Sequence, residues 1–182
     1  MKKLLYLGIV LICTCLCPTV SAQRYYGQWT ISGNAGYGNN GLVIGCTGEK
    51  YLSRTLSGVK FGFSLNRKNY SELGFRLPVN KIHFNTSYFY SFEKYMSEYF
   101  FLNLGAGLFA GIETIGNIHL PYGVLLNRSK FVYGFTITPQ FEFLFRRGSN
   151  ISGFIEPLIS YDLRSRFDKF IYSGSIGIKH YF

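Results

Sequence analysis

Four carboxylates (Glu113, Glu142, Glu156 and Asp162), three lysines (Lys60, Lys81 and Lys179) and His83 are side chains whose types could move a proton. Paired carboxylates near an imidazole serve as general acid and base when burial and neighbouring charge drive their proton affinities apart. The three histidines, His83, His119 and His180, fall on different segments with no metal-ligand spacing between them. No Ser-His-acid arrangement is visible either, so no zinc site, nucleophile triad or other cofactor is expected. What the ionisable groups do depends on the elements that carry them.

Those elements read as strands. From Tyr99 to Thr114 the even positions are Phe100, Leu102, Leu104, Ala106, Leu108, Ala110, Ile112 and Thr114, while the odd ones include Asn103, Gly105, Gly107, Gly111 and Glu113. From Phe131 to Phe145 an apolar face of Phe, Tyr, Ile and Pro alternates with Gly134, Thr136, Thr138, Gln140 and Glu142. Ile151 to Arg164 and Phe170 to Phe182 alternate in the same way. Upstream, Val79 to Phe92, Gly58 to Asn66 and Gln28 to Gly38 carry a weaker version, and Gly41 to Tyr51 follows Asn39-Asn40-Gly41, which is good turn chemistry. That makes eight strands.

Alternation alone fits a soluble sandwich or lipocalin as well as a membrane barrel. The filling of the two faces decides. Over the last four strands the apolar face carries large residues and no Asp, Glu, Lys or Arg, whereas the polar face is rich in Gly, Ser, Thr and Asn. A soluble protein would place Lys and Glu on its outer face; an outer-membrane barrel turns bulky apolar groups to lipid and small or polar groups to a narrow lumen. The fold expected is therefore all-β, an eight-stranded antiparallel up-and-down outer-membrane β-barrel. With both ends in the periplasm, the periplasmic turns would be Leu52 to Ser57, Glu93 to Ser97 and Arg147 to Asn150. The opposite-end connections would include Arg67 to Pro78 and Gly116 to Lys130.

An eight-stranded barrel is just wide enough to be filled by its own side chains, and charges buried there must pair. Lys60, Lys81, Glu113, Glu142, Glu156 and Lys179 are accordingly expected to form a structural lumenal network, with no catalytic residues and no enzyme activity. A monomeric barrel of this size is too narrow for a conducting pore or a DNA conduit. If Phe145 pairs with Ile151, Pro139 falls opposite Pro157 and the hairpin gains a weak patch facing lipid. The sharper reading is a lateral gap near Gln140 and Glu156, as a lipid-modifying barrel enzyme would need, though no nucleophile and base can be placed beside it.

The 182 residues carry a net charge of +10 with 19% aromatic and only 15% charged side chains, which excludes a disordered chain. Residues 1–22 read as a cleaved secretory signal peptide: Lys2 and Lys3, an apolar run from Leu4 to Cys17, Pro18, then Val20-Ser21-Ala22. Residues 23–182 form a single domain. Cys13, Cys15 and Cys17 leave with the signal, so the mature chain keeps only Cys46 and forms no internal disulfide. No later stretch approaches the ~20 apolar residues of a membrane helix. Basic residues collect in the outward loops (Arg67, Lys68, Arg76; Arg128, Lys130; Arg164, Arg166, Lys169), which fits contact with lipopolysaccharide phosphates. Direct nucleic-acid binding is not expected, because stacking aromatics in those loops are limited to Tyr70, Phe75 and Phe167.

The segments Arg76-Leu-Pro-Val79, Phe101-Leu-Asn-Leu-Gly-Ala-Gly-Leu-Phe-Ala-Gly-Ile-Glu-Thr-Ile115, Phe131-Val-Tyr-Gly134 and the glycine-bearing Ser173 to Phe182 resemble the TraO family of Bacteroides-type conjugative transposon proteins. The resemblance runs over roughly residues 76 to 182 and is most specific at Ala-Gly-Ile-Glu-Thr-Ile; the first 50 residues of the mature chain match weakly. It implies a structural or accessory component of a conjugative DNA-transfer apparatus in the outer membrane, contacting other transfer proteins through its turns or loops. It carries no catalytic motif to transfer. A general small outer-membrane envelope protein and, less favoured, a lipid-modifying barrel enzyme are the alternatives.

Overall fold

The computed structural model describes residues 27–52, 57–72, 75–92, 99–115, 128–146 and 149–182. The expected signal peptide, His119, residues 116–127 of the 116–130 connection, the whole of the expected turn from Glu93 to Ser97, residues 53–56 and residues 147–148 lie outside the described residues. Eight strands run in chain order: β1 (Trp29–Gly38), β2 (Gly41–Tyr51), β3 (Gly58–Glu72), β4 (Phe75–Ser91), β5 (Phe100–Ile115), β6 (Arg128–Leu144), β7 (Ile151–Asp162) and β8 (Phe170–Tyr181). Each pairs antiparallel with its sequence neighbour, and β8 pairs with β1, so the sheet closes into a barrel.

The pairings also fix the tilt. Thr30 pairs with Glu49, Glu49 with Lys60, Lys60 with Ser87, Ser87 with Gly107, Gly107 with Thr136, Thr136 with Ser160, and Ser160 with Ile171. Ile171 lies level with Asn40 of the first turn, so one circuit advances about ten residues, a stagger that tilts the strands by roughly 40°. Residues far apart in sequence thereby come to the same height inside.

The outer surface is apolar. Ile31, Ile44, Phe61, Phe84, Leu108, Ile112, Ile137, Ile155, Ile159, Ile176 and Ile178 all stand exposed on it. Trp29, Tyr90, Phe100, Phe143 and Phe182 gather towards the rim that holds the chain ends, and Tyr37, Phe131, Tyr133, Tyr161, Phe170 and Tyr172 towards the other. Aromatic girdles flanking an aliphatic band suit a bilayer, where ring systems lodge at the headgroup level. Lys50 lays its ammonium 4.9 Å over the Trp29 ring, at the rim where a long stem can reach water.

The first turn needs a glycine. Asn39-Asn40 reverses the chain and Gly41 follows at φ 90°, where a Cβ would also stand 2.1 Å from the Arg67 carbonyl oxygen.

Two expectations fail. Arg67 to Pro78 is not a long loop: β3 and β4 stay paired from Gly58↔Phe89 to Glu72↔Phe75, leaving only residues 73–74 between the strands. The pairing partners of this hairpin end earlier, at Leu42↔Arg67 and Val79↔Ile115, so its tip projects past the neighbouring strands as a two-stranded ribbon. Neither face of a ribbon beyond the bilayer has to be apolar, which is why Arg67-Lys-Asn-Tyr-Ser-Glu72 shows no alternation. Likewise Arg128, Ser129 and Lys130 belong to β6 rather than to the preceding connection.

The lumen is not wholly polar. Tyr51, Phe89 and Tyr181, with Leu144 packed against them, close the rim that holds the chain ends, and Tyr51 meets Phe89 edge to face at 5.2 Å.

Candidate functional site in the lumen

The structure places Lys60, Lys81, Glu113, Glu142, Glu156 and Lys179 on the inner wall, all buried, in two separate groups. Alternation turns each inward, and the stagger of the barrel decides which of them meet.

The lower group sits above the aromatic closure and centres on Lys179 of β8. Its three ammonium protons go to Glu49 at 2.7 Å, Gln140 at 2.8 Å and Glu142 at 2.9 Å. That uses every donor a lysine has. Glu142 in turn accepts from Ser152 at 2.6 Å and from the Tyr181 hydroxyl on Oε1, and from Lys179 and Asn103, the latter at 3.3 Å, on Oε2. Lys60 of β3 donates to Glu156 of β7 and lies 3.7 Å from Glu49; Gln140 donates to Glu156 at 2.8 Å. Glu49 is the member that the alternation did not single out: β2 is the least regular strand, and its outward face mixes Leu42 and Ile44 with Cys46, Gly48 and Lys50.

The upper group closes the opposite mouth. Lys81 of β4 lies 3.2 Å from Glu113 of β5 and 3.8 Å from Asp162 of β7, and donates to Ser165 at 2.7 Å. Ser165 belongs to the segment between β7 and β8, and its hydroxyl donates to Glu113 at 2.6 Å. Asp162 accepts the Arg164 and Ser165 amides at 3.1 and 2.9 Å, which starts the segment on an inward turn. Asp168 pairs with Lys68 at 3.0 Å and accepts the Tyr70 hydroxyl, while Phe167 stacks on Tyr70 at 4.6 Å. The projecting ribbon thus pins this segment across the mouth. In the sequence the two parts read as separate basic loops; the signal that joins them is Asp168 among Arg164, Arg166 and Lys169.

Between the groups the wall carries small polar residues. Inward-facing Asn34, Thr47, Ser64, Asn85, Leu158 and Ser173 are only half-buried there, so the lumen at mid-height is not filled.

For acid–base chemistry the arrangement offers little. The acceptors of Glu142 and the donors of Lys179 are taken up by one another and by fixed neighbours. His83 lies against the Phe109 ring at 4.7 Å and meets Asn66 at 3.5 Å. His180 is on the outer face, 4.6 Å from the Phe182 ring. Among the described residues no group of His, Cys, Asp or Glu could hold a metal ion. Buried charges so placed hold strands in register: Lys60–Glu49 and Lys81–Glu113 pair directly across neighbouring strands, while Lys60–Glu156, Lys179–Glu49 and Lys81–Asp162 couple β3 with β7, β8 with β2 and β4 with β7, which the backbone ladder does not join.

Pro139 and Pro157 sit in the β6/β7 seam. Ile137 pairs with Ile159 and Phe141 with Ile155, so the same register sets the two prolines opposite each other.

No protein-family model and no curated protein sequence matches this chain. Solved structures do. A major outer membrane protein of Thermus thermophilus is similar with a TM-score of 0.65 at 8% identity, covering 85% of this chain and 99% of that one. Neisserial surface protein A is similar with a TM-score of 0.59 at 13% identity, covering 85% and 95%. Ail, the attachment invasion locus protein of Yersinia pestis, in complex with the heparin analogue sucrose octasulfate, gives 0.56 at 16% identity, covering 87% and 100%. The chain has the closed eight-stranded antiparallel fold of these outer-membrane barrels.

Proposed function

We propose that this chain is an exported outer-membrane β-barrel that serves as a structural or accessory component of a conjugative DNA-transfer apparatus. The observation that carries the membrane half is the continuous apolar exterior around a polar, ion-paired interior. In water such a surface would drive aggregation; in a bilayer it is the ground state. The transfer half rests on the resemblance of residues 76 to 182, above all Ala110-Gly-Ile-Glu-Thr-Ile115, to TraO proteins. The spent donors and acceptors of the lower group favour a scaffold over an enzyme. Contacts with other transfer proteins then fall to the turns and loops, and outer-membrane lipid is the remaining partner.

Arg67, Arg164, Arg166 and Lys169 stand exposed at the loop rim, while Glu113 and Asp162 at that end are buried. A cationic rim above an apolar belt matches the phosphates of lipopolysaccharide. The same rim supports the second reading, a general small envelope protein engaging anionic surface glycans, in keeping with the sulfated sugar bound by the similar Ail barrel.

Mating frequency separates the two readings. A donor with an in-frame deletion of the gene is expected to transfer poorly and to recover with a plasmid copy. Unchanged transfer refutes the conjugative role and leaves the envelope reading. Heat-dependent gel mobility after detergent extraction checks the barrel itself: the mature protein staying soluble without detergent would sink the membrane assignment.

A further inference from the structure

Seven of the eight seams in the barrel wall are paired without a break. The eighth is not. Between β6 and β7 the ladder runs from Gly134↔Asp162 to Ile137↔Ile159, stops, and resumes at Phe141↔Ile155 in the same register. No residue is inserted, so the gap is not a bulge. Three consecutive rungs are missing, the number that vanishes when both members of one hydrogen-bonding pair lack an N–H. Pro139 and Pro157 are that pair. Each gives the other a carbonyl oxygen and neither gives a donor, so two acceptors face each other across the seam within the apolar belt, where lipid supplies no hydrogen bond.

Side chains close the wall from within at that height. Gln140 and Glu156 are the next residues on the inner face, directly opposite each other, and Gln140 donates to Glu156 at 2.8 Å. Lys60 reaches Glu156 from β3, and Lys179 reaches Gln140 from β8 at 2.8 Å, so both partners are anchored to strands outside the seam. Ser160 bonds Thr136 at 2.9 Å on one side of the gap, and Ser152 bonds Glu142 at 2.6 Å on the other. Behind the gap Leu158 and Ser173 border the unfilled middle of the lumen.

We propose that the β6/β7 seam is a lateral opening in the barrel wall and that the Gln140–Glu156 hydrogen bond, braced by Lys60 and Lys179, is the latch that holds it shut. The latch replaces with side chains the two hydrogen bonds that the prolines remove from the backbone. The wall therefore yields first at this seam, and the lower ion network governs how often it does so. This proposal does not depend on the conjugative reading.

Amide hydrogen exchange on the full mature chain refolded in phospholipid nanodiscs tests it. The reporters are the Ile137, Phe141, Ile155 and Ile159 amides, which flank the gap; the comparison is the unbroken β5/β6 seam. In the wild type the reporters are expected to exchange at least about tenfold faster than the β5/β6 amides. Gln140→Leu, which removes the bond to Glu156 and the acceptor that Lys179 and Asn103 use at 2.8 and 3.0 Å, is expected to accelerate them at least about tenfold further, the effect of losing a single hydrogen bond of ~1.4 kcal/mol. The Pro139→Ala/Pro157→Ala double variant, which restores both donors, is expected to bring them to the β5/β6 rate. Equal wild-type rates in the two seams, or reporters that do not respond to Gln140→Leu in a folded protein, overturn the proposal. Should Gln140→Leu fail to fold, the proline variant decides on the opening, and unchanged reporter rates in it refute the proposal.

Discussion

Lys179→Met is the most direct test of how the lumen holds the barrel. The substitution keeps an unbranched apolar stem and deletes an ammonium that makes three hydrogen bonds, two of them to carboxylates at 2.7 and 2.9 Å. Glu49 retains Lys60 at 3.7 Å, so the loss falls mainly on Glu142, which is fully buried and keeps its Ser152, Asn103 and Tyr181 donors. Breaking one buried pair costs about 3–5 kcal/mol because a charge stays desolvated without its counter-ion. With a urea dependence of about 2–3 kcal/mol per molar, the unfolding midpoint in phospholipid vesicles should fall by about 1–2.5 M. Neutralising the acids as well, in Glu49→Gln/Glu142→Gln/Lys179→Met, removes the orphaned charge and should recover more than half of the deficit. A Lys179→Met midpoint within about 0.2 M of wild type would refute the reasoning, since that shift corresponds to ~0.5 kcal/mol, the range of a surface substitution.

Leu108 stands 65% exposed at the centre of β5, and Leu108→Arg should destabilise the inserted barrel by about 2–4 kcal/mol, read as the same urea midpoint; a shift under about 0.5 kcal/mol would argue against a bilayer around this face. Glu113 holds the β7–β8 segment through Ser165 and the Arg166 amide at 2.6 and 3.3 Å, so Glu113→Ala should speed tryptic cleavage after Arg164 and Arg166 by about tenfold in the folded protein, and equal cleavage rates would show that the segment is held by other contacts.

Much of the architecture is written in the local pattern. A period of two whose bulky face carries no charge, and whose other face is small and polar instead of rich in Lys and Glu, suits lipid outside and a narrow lumen inside, so alternation together with the identity of the two faces points to a barrel before any contact is known. Phe100 through Thr114 and Phe131 through Phe145 state it outright. Where physical demand on the faces relaxes, the pattern fades. Arg67 to Glu72 is strand without alternation because it stands clear of the bilayer, and Tyr51, Phe89 and Tyr181 break the polar lumen because a rim has to be closed.

Eight strands and the facing of most of their residues follow from side-chain alternation within about ten residues of chain; the ribbon made by the ends of β3 and β4 and the enclosure of Glu49 do not. The sequence determined even the opposition of Pro139 and Pro157, because a short turn fixes the register of one hairpin. Which enclosed charges meet is set by the closed barrel. Lys60 finds Glu156 across 96 residues and Lys179 finds Glu49 across 130, and these partnerships follow from the closure of β8 on β1 and from the stagger that closure imposes. Shear belongs to the whole circuit of hydrogen bonds, so no local window of sequence carries it. That is why six inward charges were legible one by one, while their division into a brace beside the β6/β7 seam and a clasp across the mouth was not.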